Sequence, residues 1–143
     1  MIEKTVVLAC APARAFELFT EHASSWWPES RRHLADPGSQ IRMQPAGRFW
    51  EQASDGREVD LGRITVWDPP RRLVADFYVG TDPQHPTEVT VLFDATEAGT
   101  RVTVKHGPKP VSTEPYAKRA PQFARSWDAL LEGLAAHAAT CNA

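Results

Sequence analysis

PQFARSWDALLEGLAAHAA, residues 121–139, is the stretch on which the fold turns. Phe123, Trp127, Leu130, Leu131, Leu134 and Ala138 recur at steps of three and four, the apolar stripe of an amphipathic helix. Arg125, Asp128, Glu132 and Ala136 fall on its other faces. Pro121 suits a first turn, where a missing N–H costs nothing, so the spacing predicts a helix from Pro121 to about Ala139. Gly133 costs about 1 kcal/mol against alanine in a helix interior, and packing of the stripe on other elements must offset that. An indole as large as Trp127 in mid-stripe asks for a deep apolar partner surface. The expectation is a helix that lies across a curved sheet and closes one side of a cavity.

The chain ahead of it supplies such a sheet. Residues 2–9, IEKTVVLA, alternate and are β-rich. Pro12 opens a short helix with Ala15, Phe16, Leu18 and Phe19 on its buried side. A second short helix runs from about Glu21 to Trp27 and stops before Pro28. Residues 28–39 read as a polar, mobile loop. Strands are then expected at 40–45, 47–53, 57–67, 72–79, 87–94 and 100–106. Asp55-Gly56 forms the hairpin between the second and third of these, and a Pro- and Ser-rich linker leads to the final helix. Strands that follow one another without intervening helices make an antiparallel sheet, so the chain reads as an α+β fold.

Composition narrows the function. At 143 residues the chain reads as one domain, 1–143, with a real core. A formal net charge of −2 supplies no basic footprint for nucleic acid or an anionic membrane. No apolar run reaches membrane-spanning length. Cys10 and Cys141 have no metal or redox spacing; with no signal peptide ahead of Ile2, the reading is free thiols in a cytoplasmic protein. His22, His33, His85 and His137 build no metal site with each other or with the cysteines, and there is no nucleophile elbow, P-loop or dinucleotide fingerprint. Neither a metal nor a cofactor is expected.

Alternation assigns the sheet's inner face. Phe49 and Glu51; Gly62, Ile64 and Val66; Leu73, Ala75, Phe77 and Val79; Val89, Val91 and Phe93; and Val102, Val104 and His106 are read as inward. Their neighbours carry most of the charge. Two inward positions, Glu51 and His106, are polar. Arg31-Arg32 reads as a solvated basic pair. Arg42, Arg48 and Arg63 lie on strands, where they either meet an acidic ligand or pair across strands with Glu58 or Glu88.

Four blocks together are similar to one family: PARAFELFTEHASSWWP, GRFWEQASDGREVDLGRITVWDPPRRL, TEVTVLFDATEAGTRVTVKH and SWDALLEGL. Their most specific marks are Asp55-Gly56, the run from Gly62 to Pro70, Gly99 to Thr103, and the helix at Trp127. The chain resembles the group similar to the C-terminal domain of the activator of the heat-shock-protein-90 ATPase, within the START-like, birch-pollen-allergen-like (SRPBCC) superfamily. The resemblance implies a helix-grip fold: six to seven antiparallel strands wrapped around a long C-terminal helix, with two short helices after the first strand. It also implies a cavity between sheet and helix for an apolar molecule, with Trp26 and Trp27 at one lip of its mouth.

Three functions are open to such a chain. The preferred one is a non-enzymatic carrier or sensor of a small, mostly apolar molecule. Phe49, Ile64, Phe77, Val91, Phe123 and Trp127 would form the wall, Trp26 and Trp27 the lip, and Glu51 and His106 would fix the ligand's polar end. The second is an interaction module or homodimer, chaperone-linked or regulator-associated, using Trp50 and Trp67 on the outer sheet face. The third is a hydrolase or cyclase with Glu51 and His106 as an acid/base pair. Adjacent indoles at 26 and 27 cannot both face the core from one helical turn: either one packs inward and the other meets ligand or a partner, or both cover the core as a hydrophobic plug.

Overall fold

The computed structural model describes residues 1–141, apart from the side chains of Thr140 and Cys141. Seven antiparallel strands form one sheet: β1 (Ile2–Leu8), β2 (Gln40–Met43), β3 (Arg48–Gln52), β4 (Glu58–Asp68), β5 (Arg72–Phe77), β6 (Thr87–Thr96) and β7 (Gly99–Pro108). Their order is β1-β7-β6-β5-β4-β3-β2. Every step from β2 to β7 is a hairpin; only the connection from β1 to β2 crosses from one edge to the other. The helices α1 (Pro12–Phe19) and α2 (Ala23–Trp26) lie in that connection. The long helix α3 (Thr113–Cys141) packs on β1 and α2, with further contacts to α1 and β7. This is the α+β helix-grip architecture.

The apolar stripe of α3 is buried as its spacing requires, with Trp127 3% exposed and Leu134 0%. The helix starts earlier than the stripe suggests. It spans 29 residues, and Pro121 sits inside it rather than in its first turn. Proline there removes one bond to the carbonyl of Ala117. Both residues are exposed, so that carbonyl can turn to water. The expected linker is instead a 3-10 turn, Pro110–Ser112, followed by two helical turns that carry the buried Tyr116. Thr113-Glu114-Pro115 marks the true start.

Gly133 shows why the helix tolerates a glycine. A Cβ at this position would lie 2.6 Å from the carbonyl oxygen of Trp26. α2 therefore approaches α3 more closely than any side chain would allow, and the packing offsets the lost helix propensity.

Two irregularities in β4 reset its faces. The register shifts between Phe49 and Trp50 against β3, and between Ile64 and Val66 against β5. A bulge places an extra residue on one strand and changes which side chains face inward beyond it. Leu61, 2% exposed, joins the core. Past Thr65 the alternation inverts: Trp67 pairs with the inward Leu73 and packs edge-on against Phe16, ring centroids 5.3 Å apart. The expectation that Val66 points inward and Trp67 outward is thereby corrected. Trp50 does lie on the outer face, but it is only 8% exposed, with the Arg48 guanidinium 4.4 Å from its ring centroid. Arg48 is in turn held by Glu58 and Asp60. Neither indole offers the exposed aromatic surface on which the interaction-module reading rested.

Cys10 is a free thiol, pushed above its ordinary value by burial. The reading of Cys141 falls on a side chain outside those described.

Candidate functional site

The bowl of the sheet is almost filled by its own side chains. Under α3 there remains a hollow of about 20 Å³, walled by Trp27, Phe49, Ile64, Phe77, Val91 and Trp127 among others, with no polar side chain in its lining. That volume holds about one water, and an apolar wall gives a water no partners. The roomy ligand cavity expected from the sequence is therefore not in the interior.

Space opens at the mouth. A cleft of about 300 Å³ lies between the segment after α2, the end of β5 and the middle of α3. Its apolar floor is Trp27, Phe77, Val79, Phe123, Trp127 and Leu130. Trp27, Phe77 and Trp127 line both spaces, so these three rings partition the hollow from the cleft. The rim is polar: Ser30, Arg31, Arg32, His33, Gln122 and Ser126. Of the ten side chains expected at the site, the structure gathers Phe49, Ile64, Phe77, Val91, Trp27 and Trp127 around the hollow, and Phe123 at the cleft. Trp26, Glu51 and His106 line neither.

The adjacent indoles are both buried, the second of the two arrangements the sequence leaves open, because α2 ends at Trp26. Trp27 is extended, with φ −64° and ψ 119°, so the pair is not on one helical turn. Their centroids are 5.5 Å apart. The Trp26 indole N–H donates to the Leu18 carbonyl at 2.6 Å, and that of Trp27 to the Arg31 carbonyl at 3.4 Å. Each indole finds the acceptor that burial demands.

Glu51 and His106 are both inward and both 0% exposed, as the alternation predicts. They do not form a pair. The Glu51 carboxylate accepts the backbone N–H groups of His33 at 2.8 Å and Leu34 at 3.1 Å. It thus tethers the 28–39 segment to β3. Asp36 adds a second tether: it accepts from the Ser54 hydroxyl and amide, each at 2.6 Å, and these bonds, with one from Gly38, lower its carboxyl to about 2. Arg32 adds a third, donating to the carbonyls of Ser24, Trp27 and Ser39. A segment that reads as a mobile polar loop is fixed at three points, and Arg31-Arg32 is part of the mouth rather than a solvated face.

His106 is held from every side. The Trp127 indole N–H donates to its Nδ1 at 3.1 Å, so Nδ1 carries no proton. Nε2–H must then be the donor to Thr87 Oγ1 at 2.7 Å, and the Thr87 hydroxyl passes on to the Phe77 carbonyl at 3.4 Å. The rings of Phe77, Tyr116, Phe123 and Trp127 surround the imidazole, Phe123 at 4.4 Å between centroids. The Tyr116 hydroxyl donates to the His106 carbonyl at 3.0 Å. Burial pushes the imidazole down to about 4, so it is neutral at pH 7. Its hydrogen-bonding capacity is spent on Trp127 and Thr87, and what it does is orient the Trp127 indole.

Arg31 differs from these groups. Its side chain makes no hydrogen bond or ion pair among the described residues, and its Nε is buried without a partner. Nothing in its sequence neighbourhood distinguishes it from Arg32. The one available signal is position: a residue four places after an anchored Trp27 must stay near the mouth.

A family model described as activator of Hsp90 ATPase homolog 1-like protein matches residues 9–139. The chain belongs to that family. Solved structures agree with this AHSA1-like chain in fold. A protein of Rhodobacter sphaeroides superposes with a TM-score of 0.70 at 19% identity, covering 96% of this chain and 91% of its own. A protein of Nitrosomonas europaea gives 0.69 at 15%, with 97% and 94% covered. An AHSA1-like protein from Aeromonas hydrophila gives 0.64 at 20%, with 99% and 93% covered. Identities this low establish the helix-grip fold and leave the ligand open. No curated protein matches the chain in sequence. Among the described residues of this AHSA1-like domain, no three His, Cys, Asp or Glu side chains group to hold a metal ion. Among the described residues, no helix is long and apolar enough to cross a membrane.

Proposed function

We propose that this AHSA1-like domain binds a small, mostly apolar molecule as a carrier or sensor, with the mouth cleft as its site and the cytoplasm as its location. The supporting observation is the cleft itself: about 300 Å³ with six apolar residues for a floor, beside an interior already filled. That is the lower end of ligand-site volumes, and the apolar floor suits recognition of a hydrocarbon or aryl body. Three floor rings also back onto the hollow, so a shift of Trp27 or Phe77 adds depth without unfolding the sheet.

The acid/base reading has less support. Glu51 and His106 bind different partners, and both are committed to holding backbone or indole groups.

The test uses N-phenyl-1-naphthylamine, a neutral apolar fluorophore. The wild-type protein should bind it saturably, with energy transfer from tryptophan, and Ser126→Trp, which fills the cleft from α3, should abolish binding while the thermal midpoint holds. Binding that survives Ser126→Trp would remove the cleft as the site.

A further inference from the structure

We infer that the ligand of this cleft is an amphiphilic anion, an apolar body with one acidic end, and that Arg31 receives the acid. The inference rests on the cleft being the binding site and adds the ligand's charge.

The argument is one of polar accounting. A guanidinium carries five N–H donors and cannot lose its charge. Arginines in folded proteins are therefore met by carboxylates or carbonyls, or they extend into water. Arg32, next in sequence, follows the first course, with three backbone carbonyls and the Ser39 hydroxyl within reach. Arg48, Arg57 and Arg71 each bind a carboxylate. The Arg31 side chain meets neither a carboxylate nor a carbonyl among the described residues, and it reaches water only in part. It is half-buried beside an aromatic floor, its Nε is shut off from water, and that N–H has no acceptor. A buried donor left unsatisfied is costly, and a charged one more so.

The surroundings select the sign of the missing partner. The thirteen residues that line the cleft include two arginines and no Asp or Glu. In a chain whose formal net charge is −2, this concavity is locally cationic. Ser30, His33, Gln122 and Ser126 complete a rim that hydrogen-bonds the oxygens of a carboxylate, sulfonate or phosphate. Opposite them the floor of Phe77, Phe123, Trp127 and Leu130 has no polar requirement of its own. A neutral hydrocarbon would fill the floor and leave Arg31 unanswered; an inorganic anion would answer Arg31 and leave the floor wet. A molecule that does both is a small aryl or alkyl acid.

Two probes of nearly the same body separate the two claims: 1-anilinonaphthalene-8-sulfonate and N-phenyl-1-naphthylamine, which lacks the sulfonate. Both should bind the wild type and compete with each other. Arg31→Gln should weaken the sulfonate probe about tenfold and leave the neutral probe within about twofold, whereas Arg31→Lys should recover most of the loss. Arg57→Gln, a cation outside the cleft, should change neither. Raising salt should weaken only the sulfonate probe. Equal affinity of the sulfonate probe for wild type and Arg31→Gln overturns the inference and leaves the apolar site standing. Loss of both probes in Arg31→Gln assigns Arg31 a structural role and also overturns it. Failure of both probes to bind the wild type removes the site, and the inference with it.

Discussion

Acidification should weaken this fold through a single imidazole, in a window where its effect can be isolated. His106 is fully enclosed, and burial lowers it from 6.5 to about 4. In the unfolded chain it returns to the ordinary value. Between those limits the unfolded state binds a proton that the folded state refuses, so stability rises with pH across the window and is lost as pH falls. Above pH 6.5 both states are neutral and the contribution vanishes. Below about pH 4 both are charged and the loss levels off. The full shift corresponds to roughly 3 kcal/mol, of which about 2 kcal/mol falls between pH 7 and pH 5. The geometry gives the same sign. Protonation at Nδ1 would set an N–H against the Trp127 indole N–H that now donates to it.

Urea denaturation followed by tryptophan fluorescence at pH 7 and pH 5 measures the effect. The wild type should lose about 2 kcal/mol more than His106→Gln over that interval. Taking the difference cancels every other histidine. Asp36, at about 2, acts in a lower window: its stabilisation is present above 3.8 and is lost as pH falls toward 2. Cys10, raised from 9, acts only in the alkaline range. Equal slopes in wild type and variant, or a His106 ring that titrates near 6.5 by NMR in the folded protein, would refute the reasoning.

Three further outcomes follow from specific contacts. Gly133→Ala should destabilise by about 1–3 kcal/mol, although alanine is the better helix former, because its Cβ would meet the Trp26 carbonyl; a gain in the thermal midpoint would show that α2 can retreat freely. Glu51→Gln should cost about 1–3 kcal/mol and speed hydrogen exchange at the amides of His33 and Leu34 ahead of those in β6 and β7; unchanged exchange there would mean the tether does not hold the segment. Trp127→Phe keeps the apolar bulk but leaves His106 Nδ1 without its donor, and should lower stability at pH 7 by about 1–3 kcal/mol while narrowing the difference between pH 7 and pH 5.

The architecture was legible because it depends on periodicity, which sequence carries directly. The three- and four-residue steps of Phe123 to Ala138 and the two-residue alternation of β5, β6 and β7 identify the buried faces correctly. Readings failed where a local irregularity breaks the period. The bulge at Thr65 turns Trp67 inward, and α2 stops at Trp26, one residue before the expected boundary, which frees Trp27 to bury beside it. Pro121 misled because a proline at an exposed turn can sit inside a helix, where the carbonyl it frees turns to water, so it does not by itself mark a helix start. The site was half legible. Inward polarity at Glu51 and His106 could be read, but their partners, backbone amides of a distant loop and an indole on α3, depend on tertiary placement. Arg31 looked like any surface arginine, since an orphaned Nε has no sequence signature.

These polar groups bear on why the proposed site lies at the rim and not in the interior. Inside the bowl, every inward polar side chain holds the structure: Glu51 holds two amides, and His106 holds Trp127 and Thr87. With those capacities spent and the remaining hollow near 20 Å³, the interior can neither orient nor house a guest. At the rim the same tethers act to the opposite effect. By fixing the 28–39 segment through Glu51, Asp36 and Arg32, they hold Arg31 beside an aromatic floor without committing it. His106 sets the Trp127 ring that forms part of that floor. The buried network is thus the scaffold of the proposed recognition surface, and disturbing it should loosen the cleft before it unfolds the sheet, because the strands' hydrogen bonds do not pass through it.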